Sequence, residues 1–259
     1  MKTRLTPLVL FATLAVSSTA AFAQSGEQEE RIGASFVLAL GRAPSAGETD
    51  LWSKQGPLPV ADLVARHQQQ LQSDAGMTRA TVVKACADAF GREPTEREID
   101  TWSGGNRTYT ELMKQHIQWL GAHTEEYRQV MERAYQLVMR RPAYSVELDY
   151  WNDQPTLSFV LLVGCIEDWA RRNAPGLMAT TGTPTVSVNS RYLTTCRLSP
   201  AIAAEARAAT GLVPAGDANL ATAAGRHLVA VGAGSIVTSG HIHFVAAGGA
   251  NLLPTRDGN

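Results

Sequence analysis

Apolar residues recur at four-residue steps in three separate stretches: Ile32, Phe36 and Leu40; Val82, Cys86 and Phe90; Met131, Tyr135 and Met139. An i, i+4, i+8 series places each set on one helix face. Each series stops at an Arg-x-Pro or Arg-Pro step (Arg42 to Pro44, Arg92 to Pro94, Arg141-Pro142), because proline biases the residue before it away from helical geometry. A second helix is predicted to restart at once. Ser45 with Glu48 and Thr95 with Glu98 are capping boxes, in which two side chains satisfy opposing backbone N–H groups. A third helix is predicted to start near Pro59, Thr108 and Thr156, with Thr108 and Glu111 forming another box. Its apolar positions are Leu63, Val64 and Leu71, then Leu112, Met113 and Leu120, then Leu161, Leu162 and Trp169.

The three stretches are copies of one pattern. Arg42, Arg92 and Arg141 each precede a tryptophan (Trp52, Trp102, Trp151) by ten positions, and the arginines are 50 and then 49 residues apart. Glu48, Glu98 and Glu147, and then Asp50, Asp100 and Asp149, stand at fixed distances before the tryptophan. The expected corner is an Arg gripping the Asp with two parallel hydrogen bonds, the indole packing over the junction. Groups shared by all internal copies usually maintain the unit, so these nine residues read as a structural corner rather than a ligand site. His67, His116 and Cys165 also match between copies. Equivalent positions on packed helices lie roughly 10 Å apart at minimum, too far for one metal to bridge, so no metal centre is expected there.

The run Arg-x-Pro, helix start, Trp ten residues after the Arg resembles the repeat of domain-of-unknown-function family 4214. That family occurs in secreted bacterial proteins and is related to phycobilisome linker domains. The best stretch runs from Met113 to Trp151, where Tyr127, Tyr135, Arg141, Pro142, Tyr150 and Trp151 match the motif. The likeness spans roughly Glu27 to Asn173. The family's glycine four residues before the Trp is here Glu48, Glu98 and Glu147. The resemblance implies an all-helical interaction module with no known catalytic residues.

The two ends are different material. Lys2 and Arg4 precede an uncharged apolar stretch from Leu5 to Val16, shorter than the ~20 residues of a membrane span. Ala21-Phe22-Ala23 then offers the small residues a signal peptidase reads. A signal peptide over 1–23, cut after Ala23, is predicted. It would leave a secreted or periplasmic bacterial protein with no transmembrane helix in the mature chain. After a triple helical-repeat domain over 24–173, residues 174–198 read as a linker with a strand around Thr185 to Thr195. Residues 199–211 read as a short helix with Ser199 as N-cap and Pro200 first inside it. From Asn219 an octad takes over, with Leu220, Leu228, Ile236, Phe244 and Leu252 every eighth residue. Residues 212–259 therefore read as a Gly/Ala-rich tail of short strands, ordered on assembly or a disordered linker. Within it, His241 and His243 share a strand face, and His227 could join them as a third metal ligand. The competing reading makes them polar octad positions.

Composition narrows function without naming it. The formal charge is −1 with 18% charged residues, which gives no reason to expect nucleic acid as partner. Three cysteines (Cys86, Cys165, Cys196) leave at least one unpaired within the monomer. A Cys86–Cys165 bridge and two buried thiols are both compatible with the spacing. The fold class expected is mainly α: three tandem helical repeats, then the octad tail. The function expected is a non-enzymatic interaction or scaffold protein of the envelope or extracellular space, without cofactor, its partner a protein or cell surface. The alternative is a structural surface component that self-associates through the octads. The third is a metal-dependent hydrolase. The repeats are expected to fold without the tail, which should add little to their stability.

Overall fold

The structure, a computed structural model, describes residues 14–173, 195–210, 227–231 and 235–238. The chain is mainly helical. Up to Asn173 the helices fall into trios, always a long one, a short one and one of intermediate length. The first trio is α1 (Leu14–Leu40), α2 (Ala46–Ser53) and α3 (Val60–Ser73). The second is α4 (Ala75–Phe90), α5 (Glu96–Ser103) and α6 (Tyr109–Ala122). The third is α7 (Thr124–Met139), α8 (Ser145–Asn152) and α9 (Phe159–Asn173). The long helix of each trio packs on its own third helix, α1 on α3, α4 on α6 and α7 on α9. Successive trios meet through α6 against α1 and α9 against α4.

The predicted apolar faces form the core. Ile32, Phe36, Leu40, Val82, Cys86, Phe90, Met131 and Tyr135 are buried, and Met139 packs at the edge. All three predicted capping boxes close: Ser45 with Glu48, Thr95 with Glu98 and Thr108 with Glu111. The third helix of the last trio starts three residues later than Thr156. The Leu157 N–H is taken by the Tyr127 hydroxyl at 3.2 Å, and the first helical carbonyl is that of Ser158. α1 runs unbroken past Ala23, the predicted cleavage point. No described helix is long and apolar enough to cross a membrane.

The long helices end in the left-handed region, at Gly41 (φ +70°), Gly91 (φ +68°) and Arg140 (φ +57°). At the first two a side chain has no room. A Cβ on Gly41 would lie 2.4 Å from the Tyr109 ring, and one on Gly91 would lie 2.4 Å from the Phe159 ring. Tyr109 and Phe159 open the third helix of the following trio. Each glycine is thus the floor on which the next trio sits. Among the described residues no further trio follows Arg140, and there a long side chain is tolerated at the surface.

Beyond the trios lie β1 (Thr195–Arg197), α10 (Pro200–Thr210), β2 (His227–Val231) and β3 (Ser235–Thr238). The strands form an antiparallel sheet in the order β1-β2-β3, with Cys196 opposite Leu228 and Ala230 opposite Ile236. The strand expected over 185–195 lies outside the described residues except for Thr195, which opens β1. Helix α10 begins where Ser199-Pro200 predicts. It packs on the first trio, a contact that the sequence pattern did not point to. Leu198, Ile202, Ala203 and Ala206 bury themselves against Ala34, Leu38 and Val60 of the first trio. Ala203 and Ala206 are small residues that let α10 lie close to α1 and α3.

Candidate functional site

The three corners are built alike, and their pairing differs from the Arg–Asp expectation. Arg42 donates to Glu48 at 2.9 and 2.6 Å, Arg92 to Glu98 at 3.0 and 2.7 Å, and Arg141 to Glu147 at 2.7 and 2.7 Å. Each guanidinium also donates to the carbonyl of the residue after it. The physical reason is helix phase. The Glu is the third residue of the short helix, and its carboxylate turns back to accept the N–H of the cap (Ser45, Thr95, Tyr144) at 2.8 Å. The Asp two residues on is rotated about 200° around the axis, so Asp50, Asp100 and Asp149 all face solvent. Asp50 pairs with Lys54, the residue that caps the end of α2, at 2.6 Å.

The same carboxylate thus serves a cap and an arginine fork. The Arg42 hydrogen bonds hold the Glu48 carboxyl down to about 2, and Arg92 does the same for Glu98. Each arginine also lies over an aromatic ring: Arg42 over Phe36 at 5.1 Å, Arg92 over Phe90 at 5.5 Å, and Arg141 over Tyr135 at 5.5 Å and Tyr144 at 4.0 Å.

Beneath the first two corners the tryptophan meets the residue that matches between third helices. Trp52 lies 4.4 Å from His67 and Trp102 lies 4.4 Å from His116, ring centre to ring centre. Phe36 and Phe90 close the other side at 4.4 and 5.0 Å. His67 bonds Ser35 through Nε2 at 3.1 Å, and His116 lies 3.5 Å from the Cys86 sulfur. Burial pushes both histidines down to about 4, so each imidazole is neutral at ordinary pH. In the third trio Trp151 instead donates its indole N–H to the Tyr135 hydroxyl at 3.1 Å, and Cys165, which matches the two histidines by sequence spacing, is half-buried. Cys86 and Cys165 form no bridge with one another, and burial pushes the Cys86 thiol up to about 12. The two histidine seats are aromatic boxes filled by a side chain of the same trio.

The junctions between trios carry chemistry that the sequence pattern did not single out. At the first, the Tyr109 hydroxyl donates to the buried Asp88 carboxylate at 2.7 Å, and Lys84 bonds the same oxygen. Burial raises the Asp88 carboxyl, opposed by Lys84. At the second junction the corresponding residues are Phe159, Leu137 and Arg133. There a shallow hollow of about 320 Å³ opens, lined by Gly91, Arg133, Gln136, Leu137, Arg140 and Phe159. Losing the phenol in Phe159 and the carboxylate in Leu137 is a matched exchange, since a buried hydroxyl and its acceptor must come and go together. Arg133 donates its Nε–H to the Phe90 carbonyl at 2.9 Å.

Helix α10 adds a polar clamp to its apolar seat. Glu205 receives Arg31 at 2.9 to 3.2 Å and also accepts the Val60 N–H at 3.4 Å. Glu30 accepts the Ser199 N–H at 2.5 Å. α3 follows Pro59, whose side chain cannot cap, so its first N–H is satisfied by a residue from the far end of the chain. No spacing rule could find that pair.

Among the described residues, no group of three or more His, Cys, Asp or Glu side chains is placed to hold a metal ion. His227 opens β2, opposite Arg197; His241 and His243 lie outside the described residues. No family model, no curated protein and no solved structure matches this chain.

Proposed function

We propose that the three trios are tandem copies of one helical unit, and that the protein is an exported interaction or scaffold protein in which the units present a repeated surface. One observation carries this reading. Within each copy the recurring Arg, Glu and Trp work inside the corner, whereas the recurring Asp points outward from a short helix and takes no part in it. Asp50, Asp100 and Asp149 lie in the second half of an eight-residue helix, where the helix dipole disfavours a carboxylate. Neither corner geometry nor capping accounts for an acidic residue kept at that place three times. A repeated contact to a basic partner surface does.

The resemblance to secreted helical modules and the predicted signal peptide support the same reading of address and class. The test is Asp50→Asn, Asp100→Asn and Asp149→Asn together in the mature chain, immobilised beside wild type and exposed to envelope and culture-medium fractions. Proteins captured by wild type should be lost from the variant while thermal melting stays within a degree or two, since exposed substitutions rarely cost more than ~0.5 kcal/mol. Identical capture by both chains refutes the acidic contact.

A second reading has its own observation. Two successive octads supply β2 and β3, adjacent antiparallel strands with Leu228 opposite Thr238. Continuation of that pairing between chains would make the tail a self-assembling element. Sedimentation of the mature chain with and without residues 212–259 tests it; equal behaviour refutes it.

A further inference from the structure

The end of the first unit that α10 covers is the end that units two and three turn toward their predecessors. Ala34 and Leu38 stand eight and four positions before Arg42, as Lys84 and Asp88 stand before Arg92, and Arg133 and Leu137 before Arg141. In units two and three these positions border the first residue of the third helix, Tyr109 or Phe159. That residue in turn rests on the glycine of the unit before. In unit one the corresponding first residue is Val60, which among the described residues has no preceding unit to rest on. Its neighbours are Leu198, Ile202, Ala203 and Ala206 of the α10 segment, and its N–H goes to Glu205.

We propose that α10 is a built-in plug that keeps the array from adding a further unit. When it is released, unit one of one molecule docks on unit three of a second copy in the manner of the two internal junctions. This rests on the three-copy reading above. Two features point to a second copy as occupant. The uncovered face of unit one is apolar, with Ala34, Leu38 and Val60 where unit two carries Lys84, Asp88 and Tyr109. The receiving residue at the other end is matched in size. Within the chain glycine pairs with a large ring, Gly41 with Tyr109 and Gly91 with Phe159. Between chains the larger Arg140, held left-handed like the glycines, would meet the smaller Val60. Such a contact joins two different surfaces, so it propagates from molecule to molecule as a ring or an open chain. Holding α10 in place by the Arg31–Glu205 fork and the Glu30 contact makes monomer the resting state.

The test uses the full mature chain carrying Ile202→Asp and Glu205→Arg, compared with wild type by sedimentation velocity over about a hundred-fold range of concentration. Wild type should hold one sedimentation coefficient. The released variant, helical by circular dichroism, should grow at least about two-fold in weight-average mass. Adding Val60→Tyr should abolish that growth by a clash with Arg140, and adding Arg140→Gly as well should restore it by recreating the internal Tyr–Gly pair. Glu205→Gln alone keeps every apolar contact of α10 and should give weaker association with the same response to Val60→Tyr, which serves if the stronger variant does not fold. A released chain that stays monomeric, or an association indifferent to residues 60 and 140, overturns the proposal. Either result leaves the acidic-surface test untouched.

Discussion

Gly91→Ala isolates the force that stacks one trio on the next. Two separable costs are expected. Gly91 has φ +68°, and an L-residue there costs roughly 1–2 kcal/mol. The new Cβ would stand 2.4, 2.6 and 2.7 Å from Cδ2, Cγ and Cε2 of Phe159, a ring only 3% exposed. The Cγ contact lies at the root of the ring, so rotation cannot relieve it, and overpacking of this kind costs about 1–3 kcal/mol. The sum is about 2–5 kcal/mol. Gly56 supplies the control: φ is +85° with nothing within 4 Å of a Cβ, so Gly56→Ala should show the backbone cost alone, roughly 1–2 kcal/mol. At Arg140 the sign reverses. Arg140→Gly relieves the same left-handed strain and forfeits about 0.4–1 kcal/mol through a freer unfolded chain, for a net gain of about 0–1.6 kcal/mol. Urea titrations of the protein followed by circular dichroism measure all three. Equal costs at Gly91 and Gly56 would refute the claim that the glycine is a docking floor. So would an absence of coupling between Gly91→Ala and Phe159→Leu in a double-mutant cycle.

Glu98→Ala, which removes both a cap partner and an arginine partner, should cost about 1–2 kcal/mol, while Asp100→Ala stays within about 0.5 kcal/mol. A cycle of Arg92 with Glu98 should show coupling and one with Asp100 none; the reverse pattern would restore the Arg–Asp corner. Ending the chain at Asn173 strips the α10 segment from Ala34, Leu38 and Val60, and should lower the urea-derived stability of the first trio by at least about 2 kcal/mol, the scale of one buried aliphatic side chain. Unchanged stability would show that α10 contributes nothing. Acid should act in two stages. His67 and His116 are pushed down to about 4 in the fold from ~6.5 unfolded, so the stability their neutrality supports is whole above ~6.5 and is lost as pH falls toward 4. Glu48 and Glu98, held at about 2 against ~4.3 unfolded, add a second loss from ~4.3 downward. Urea midpoints measured at descending pH should fall through both windows. His67→Gln with His116→Gln should flatten the upper one, and an unaltered slope there refutes the assignment.

The sequence by itself determined the local elements, because its signals act within one or two helical turns. Four-residue apolar spacing, proline after arginine and a cap residue three before a glutamate each stabilise a helix or its end where they stand. That is why the stops at Arg42, Arg92 and Arg141 and the boxes at Ser45, Thr95 and Thr108 fall where the pattern puts them. The corner was legible in composition but not in partner. Glu and Asp both keep fixed distances from the tryptophan, and only the rotation of the short helix sends one carboxylate to the arginine and the other to solvent. The tertiary structure alone decided the junctions. That Gly41 lies under Tyr109, that Asp88 takes the Tyr109 hydroxyl, and that Glu205 caps a helix 145 positions earlier depend on which surfaces meet once the helices pack. Interactions between residues so far apart in the chain leave no periodic trace, so a residue such as Ala34 reveals what covers it only after α10 has docked.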